Sequence, residues 1–145
     1  MIRFLRNSPA AVARKGAAAL ELAVLLPLIL LFVFACADFG RVMHAYLTVS
    51  NAARCGAEYG AMHEFTSFTR SSWESRVQSA IQDEMQLVPG FDAGSLQVAL
   101  ATTTDSDGLF QVAVEVTYPF RTIVNWPGVP SQVTLDRKVL MRQIR

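Results

Sequence analysis

A chain of 145 residues that is 52% hydrophobic and 17% charged holds one modest folded unit once a long apolar run is set aside, which excludes a large enzyme. The formal net charge of +1 hides an asymmetry: Arg3, Arg6, Arg14 and Lys15 all precede the first acidic residue, Glu21, so the rest of the chain sets nine cations against twelve carboxylates. Positive charge concentrated in a short tail, and not on a folded face, gives no support for nucleic acid binding.

Residues 1–16 read as a basic leader. Beyond it, Leu22 to Ala37 (LAVLLPLILLFVFACA) carries no charged side chain, and Ala17 to Leu20 extend the apolar character back across Glu21. Counted from residue 17 to residue 37, the segment reaches the roughly 20 positions needed to cross a hydrocarbon core of about 30 Å. It is predicted to span a membrane, and the cations before it put the N terminus on the cytoplasmic side with the C-terminal body exported. The alternative is a cleaved signal peptide, with FACA at residues 34–37 as its small-x-small site; the length of the run and the helical pattern after it favour a retained span. Pro27 has no N–H to donate and crowds the carbonyl of Ala23, which predicts a kink or local loosening. Membrane helices tolerate this where neighbours satisfy the freed group.

Residues 38–61 are predicted to continue the helix outside the membrane as a stalk. Ala45, Ala52, Gly56 and Gly60 fall near one face with Ala53, Ala57 and Ala61 beside them, so another surface can approach the backbone closely. Gly56 and Gly60 have the small-x-x-x-small spacing of close helix pairs. That surface is either another subunit or the sheet of the same chain, and the spacing does not choose between them.

Residues 62–145 are predicted to form a small α+β head. After a loop near residues 64–70, Ser71 and Glu74 have capping-box spacing, and Trp73, Val77, Ile81, Met85 and Val88 make one apolar stripe on a helix over residues 72–88 that Pro89 and Gly90 end. The period then changes to alternation. Leu96, Val98 and Leu100 form one set; Phe110, Val112, Val114, Val116 and Tyr118 form a second after the DSDG turn; Val133, Leu135, Val139 and Met141 form a third, interrupted by Arg137, after a proline-rich loop from Pro119 to Pro130. Three antiparallel strands with one apolar face need a cover, which the two helices can provide.

Catalytic chemistry finds no foothold. HEF at residues 63–65 begins like a zinc-protease helix, but Ser67 stands where the second histidine is required. DFG at residues 38–40 lacks the phosphate loop and catalytic stretch of a kinase, and no serine sits in a G-x-S-x-G elbow. Cys36 and Cys55, nineteen residues apart on one helix, are separated by nearly 30 Å at about 1.5 Å per residue, far beyond disulfide reach. No enzyme activity, cofactor or metal is expected.

The run RKGAAALELAVLLPLILLFVFACADFGRVMHAYLTVSNAARCGAEYGA, residues 14–61, resembles the N-terminal domain of the TadE-like family, which includes pseudopilins of the tight-adherence pilus system. Its opening is similar to a type IV prepilin processing site. The resemblance implies cleavage after Gly16 by a prepilin peptidase, which leaves Ala17 as the first mature residue and Glu21 as the fifth. It also implies a pilin-like α+β fold and a minor pilin or pseudopilin that works with other pilins or pseudopilins and an inner-membrane assembly platform, its head outside the cytoplasm. Glu21 would meet the new amine of a neighbouring subunit, while Pro27, Ala52, Gly56 and Gly60 would lie in assembly contacts. A lone carboxylate in an apolar layer is costly without such a partner, although one turn inside the interface it can also reach the headgroups. The competing function is an unprocessed, membrane-anchored accessory whose exported head binds another envelope component.

Overall fold

The computed structural model describes residues 9–106, 108–124, 128 and 130–143, with residues 9–15 as backbone alone. Residues 1–8 of the expected leader and parts of the proline-rich loop lie outside the described residues. The elements run α1 (Pro9–Met62), α2 (Arg70–Met85), a short 3-10 turn (Ala93–Ser95), β1 (Gln97–Thr104), β2 (Phe110–Arg121) and β3 (Gln132–Arg142). The architecture is the expected α+β arrangement of a long N-terminal apolar helix, a second helix and one antiparallel sheet in the order β1-β2-β3. The chain divides into two compact units, Met1–Phe39 and Gly40–Arg145.

In the first unit the helix runs unbroken through Pro27. Its large apolar side chains from Leu20 to Phe34 are 45–71% exposed. Burying one Leu or Phe is worth about 1.5–3 kcal/mol, so a run of this length left in water is strongly unfavourable. By length and composition it is able to cross a membrane, and it has the character of a single-pass anchor.

The second unit has its own core. Trp73, Val77, Ile81 and Met85 of α2 are buried, as the stripe at steps of four requires, and Val88 joins them just beyond the helix. Gly90, at φ +75°, takes the left-handed conformation that turns the chain away. The N-terminus of α2 differs from the expected capping box: Thr69 is the cap residue and makes no side-chain cap bond, because its Oγ1 instead accepts the Thr66 amide at 2.9 Å. Glu74 is taken by Arg70, whose Nε donates to it at 2.9 Å one turn away.

The sheet follows the alternation closely. Val98 pairs with Val116, Leu100 with Val114, Val112 with Met141, and Tyr118 with Leu135, which keeps one face apolar across all three strands. Arg137, opposite Val116, shares that alternation but is exposed; on an edge strand its long stem can carry the charge out past the sheet. β2 extends into the segment expected to be loop, with Pro119 opposite Thr134 and Arg121 opposite Gln132. A proline in a central strand normally breaks the ladder. Here β1 has already ended at Gln97, opposite Thr117. The Thr122 amide donates to Ser131, so by alternation Pro119 turns its nitrogen away from β3, past the end of β1, where no bond is lost. At the other end, Arg142 and Gln111 both donate to Asp105 Oδ2, at 2.9 and 3.0 Å, and tie the β1–β2 turn to β3.

Candidate functional site

Gly16 lies within α1, and a Cβ built there meets nothing within 4 Å. Glycine inside a helix costs about 0.5–1 kcal/mol relative to alanine, so Gly16 is a locally weakened point of α1. Ala17 and Glu21 are exposed, four residues apart, and therefore on the same face of the helix. Pro27 is exposed two turns further on.

Ala52, Gly56 and Gly60 are buried, and the structure gives them a partner within the chain. A Cβ on Gly56 would sit 2.6 Å from Ile81 Cγ1 and 3.5 Å from Val114; one on Gly60 would sit 3.0 Å from both Trp73 and Val112. Ala45, Val49, Ala52, Ala53 and Ala57 belong to the same core. The small-residue face therefore packs against α2 and the sheet of its own head, the second of the two surfaces that the spacing allowed.

Residues 16–58 match the family model for TadE-like protein. The matched segment begins at Gly16 and lies wholly within α1, so it takes in the apolar run and most of the buried small-residue face, and leaves α2 and the sheet outside. No curated protein and no solved structure matches the chain.

Just beyond the TadE-like segment, His63 stacks on Tyr59 with ring centroids 4.1 Å apart, and its Nδ1 lies 2.9 Å from the Tyr59 carbonyl. Among the described residues no group of three His, Cys, Asp or Glu side chains is placed to hold a metal. Both cysteines are free thiols. Burial first, then the nearby Glu84 and Glu58, push the Cys55 thiol above its ordinary range against the opposing pull of Arg54, which keeps it protonated and poorly nucleophilic at neutral pH.

One feature of the head had no signal in the sequence. A cleft of about 400 Å³ opens between α1, the turn after α2 and the far end of β2, lined by Arg41, Asp92, Ser95, Tyr118, Phe120 and Arg121 among others. Arg41 lies over the Phe120 ring, 5.2 Å from its centroid. The Tyr118 hydroxyl accepts the Asp92 amide at 3.3 Å. Asp92 is engaged on both oxygens, by the Ser95 hydroxyl at 2.6 Å and the Gly94 amide at 3.0 Å. These bonds, Ser95 first, hold its carboxyl below the ordinary carboxylate value. Arg41 and Arg121 are eighty positions apart, and no spacing rule connects them.

Proposed function

We propose that the chain is a membrane-anchored minor pilin or pseudopilin that helps to assemble a tight-adherence-type pilus or secretion pseudopilus. The observation that carries this reading is the coincidence of three features at one point: the cationic pair Arg14–Lys15, the helix-weakening Gly16, and Glu21 one turn into an uncovered apolar helix, where the TadE-like match also begins. A prepilin peptidase at the cytoplasmic face would cut after Gly16 and remove the basic leader while the span stays embedded. The Ala17 amine of one subunit and the Glu21 carboxylate of the next would then offset each other's desolvation and fix the axial register of neighbouring helices. Other pilins or pseudopilins and an inner-membrane assembly platform are the partners this implies. The head stands on the extracytoplasmic side, and the neighbour contacts fall to the exposed segment around Glu21 and Pro27, since the Ala52–Gly60 face is occupied within the subunit.

N-terminal sequencing of the protein from its native membrane tests the reading. The expected sequence is AAALELAVLL in a product that still sediments with membranes. Gly16→Leu should remain full length, whereas Glu21→Ala should be cut but fail to co-assemble. A wild-type product beginning at Met1 would instead establish the anchored accessory, and one beginning near Asp38 would remove the anchor.

A further inference from the structure

We propose that the cleft between Arg41 and Arg121 holds the phosphate of an anionic phospholipid headgroup in the leaflet from which the head emerges. This rests on the membrane-anchored reading but not on assembly into a pilus. Arg41 is four residues after Ala37, the last residue of the apolar run, so however the two units are oriented the chain keeps it within about 15 Å of the end of the span. The cleft is therefore tethered at headgroup range, where a bilayer of about 40–45 Å extends several ångströms beyond its hydrocarbon core on each side.

The chemistry of the walls fits that ligand. Arg41 and Arg121 both line this one concavity, and the oxygens of Asp92, which also lines it, already accept the Ser95 hydroxyl and the Gly94 amide. Guanidinium groups bind phosphate oxygens through paired N–H donors, and they keep their charge at any physiological pH. Arg41 is steadied against the Phe120 ring, while Arg121, which also lines the cleft, is exposed and accessible to a headgroup arriving from outside. Tyr118 and Phe120 give the cleft aromatic walls, suited to the boundary between apolar and aqueous layers. The site commits to a lipid because a free anion would gain nothing from being tethered to the bilayer surface.

The test uses the full chain in dodecyl maltoside micelles carrying either phosphatidylglycerol or phosphatidylcholine, with the thermal unfolding of the head as the readout. Phosphatidylglycerol should raise Tm and phosphatidylcholine should not. The rise should be lost in Arg121→Gln, which changes an exposed side chain, and retained in Arg76→Gln, which removes a cation from α2 outside the cleft. Arg41→Gln should also lose it; should that variant unfold, Arg121→Gln decides alone. A rise that persists in Arg121→Gln overturns the proposal, as does an equal rise from inorganic phosphate in phosphatidylcholine micelles, which would assign the cleft to a free anion. Carbonate extraction of the chain from vesicles separates the two readings: release into the supernatant defeats the anchor and this inference together, whereas a retained chain indifferent to phosphatidylglycerol defeats only the inference.

Discussion

The two halves of α1 solve the same problem in opposite ways. From Leu20 to Phe34 the helix carries large apolar side chains that are exposed; from Ala45 to Ala61 its buried face is mostly alanine and glycine, packed against α2 and the sheet. Bulky side chains suit a fluid surround that moulds itself to any shape, because lipid tails fill the gaps between them. Small side chains suit a fixed protein surface, where each added methylene must find prepared space. The difference shows that helix length and hydropathy do not identify what a helix face meets, whereas side-chain size along that face comes much closer.

Cutting the helix between its halves should have the largest effect. A soluble fragment beginning at Val42 keeps the α1 residues of the core and should unfold cooperatively, with mixed α/β circular dichroism. One beginning at Met62 loses Ala45, Val49, Ala52, Ala53 and Ala57 from beneath the sheet and should have no cooperative transition. If both fragments fold alike, the second half of α1 is not a wall of the head.

Within the fragment that folds, Gly56→Leu should cost at least the 1–3 kcal/mol typical of overpacking, since even a Cβ there approaches Ile81 to 2.6 Å. The same change at the exposed Glu58 should stay within about 0.5 kcal/mol. Denaturant titration of the two variants measures the contrast directly, and equal losses would break it. In the first half the expectation reverses. Leu25→Ala in the full chain, at a side chain 51% exposed, should leave the unfolding of the head within about 0.5 kcal/mol of wild type. A larger loss would mean that the two halves share a core.

The smallest effect is electrostatic and confined to the second unit. Asp92 is held below its ordinary value in the folded head, so its contribution is present above the unfolded carboxylate value of about 3.9 and is lost as pH falls through the folded one. Asp92→Asn should therefore slightly narrow the difference in Tm between about pH 6 and about pH 3, in the direction fixed by that sign. A wider difference in the variant would mean that Ser95 and Gly94 do not favour the ionised form.

The elements governed by periodicity were legible in the chain. Val77 and Ile81 announce α2 at steps of four, and Val112, Val114 and Val116 announce β2 by alternation, because each period matches the geometry of its element whatever lies around it. The extent of β2 was not legible. Pro119 reads as a breaker until it is known that β1 ends before it and leaves its nitrogen without a bond to lose. The cap of α2 differs for a similar reason: Ser71 and Glu74 have the right spacing, but the helix begins at Arg70, so Ser71 lies inside it, and Arg70 takes the Glu74 carboxylate. In the candidate site, Gly16, Ala17 and Glu21 can be read together because they lie within six consecutive positions of the chain. The cleft was missed because Arg41 and Arg121 meet only through the packing of α1 on β2.

The sequence by itself determined the local terms: an apolar run of spanning length behind a cluster of cations, a glycine and a glutamate at its start, two helical faces and three alternating strands. Each follows from the chemistry of neighbouring residues and needs no distant partner. Only the tertiary structure decided that the Ala52–Gly60 face meets Ile81, Trp73, Val112 and Val114, and that two arginines eighty positions apart line one cleft. The physical reason is that periodicity fixes the direction in which a side chain points. What it touches depends on how whole elements pack, and that is set by the shape and volume of surfaces brought together from distant parts of the chain.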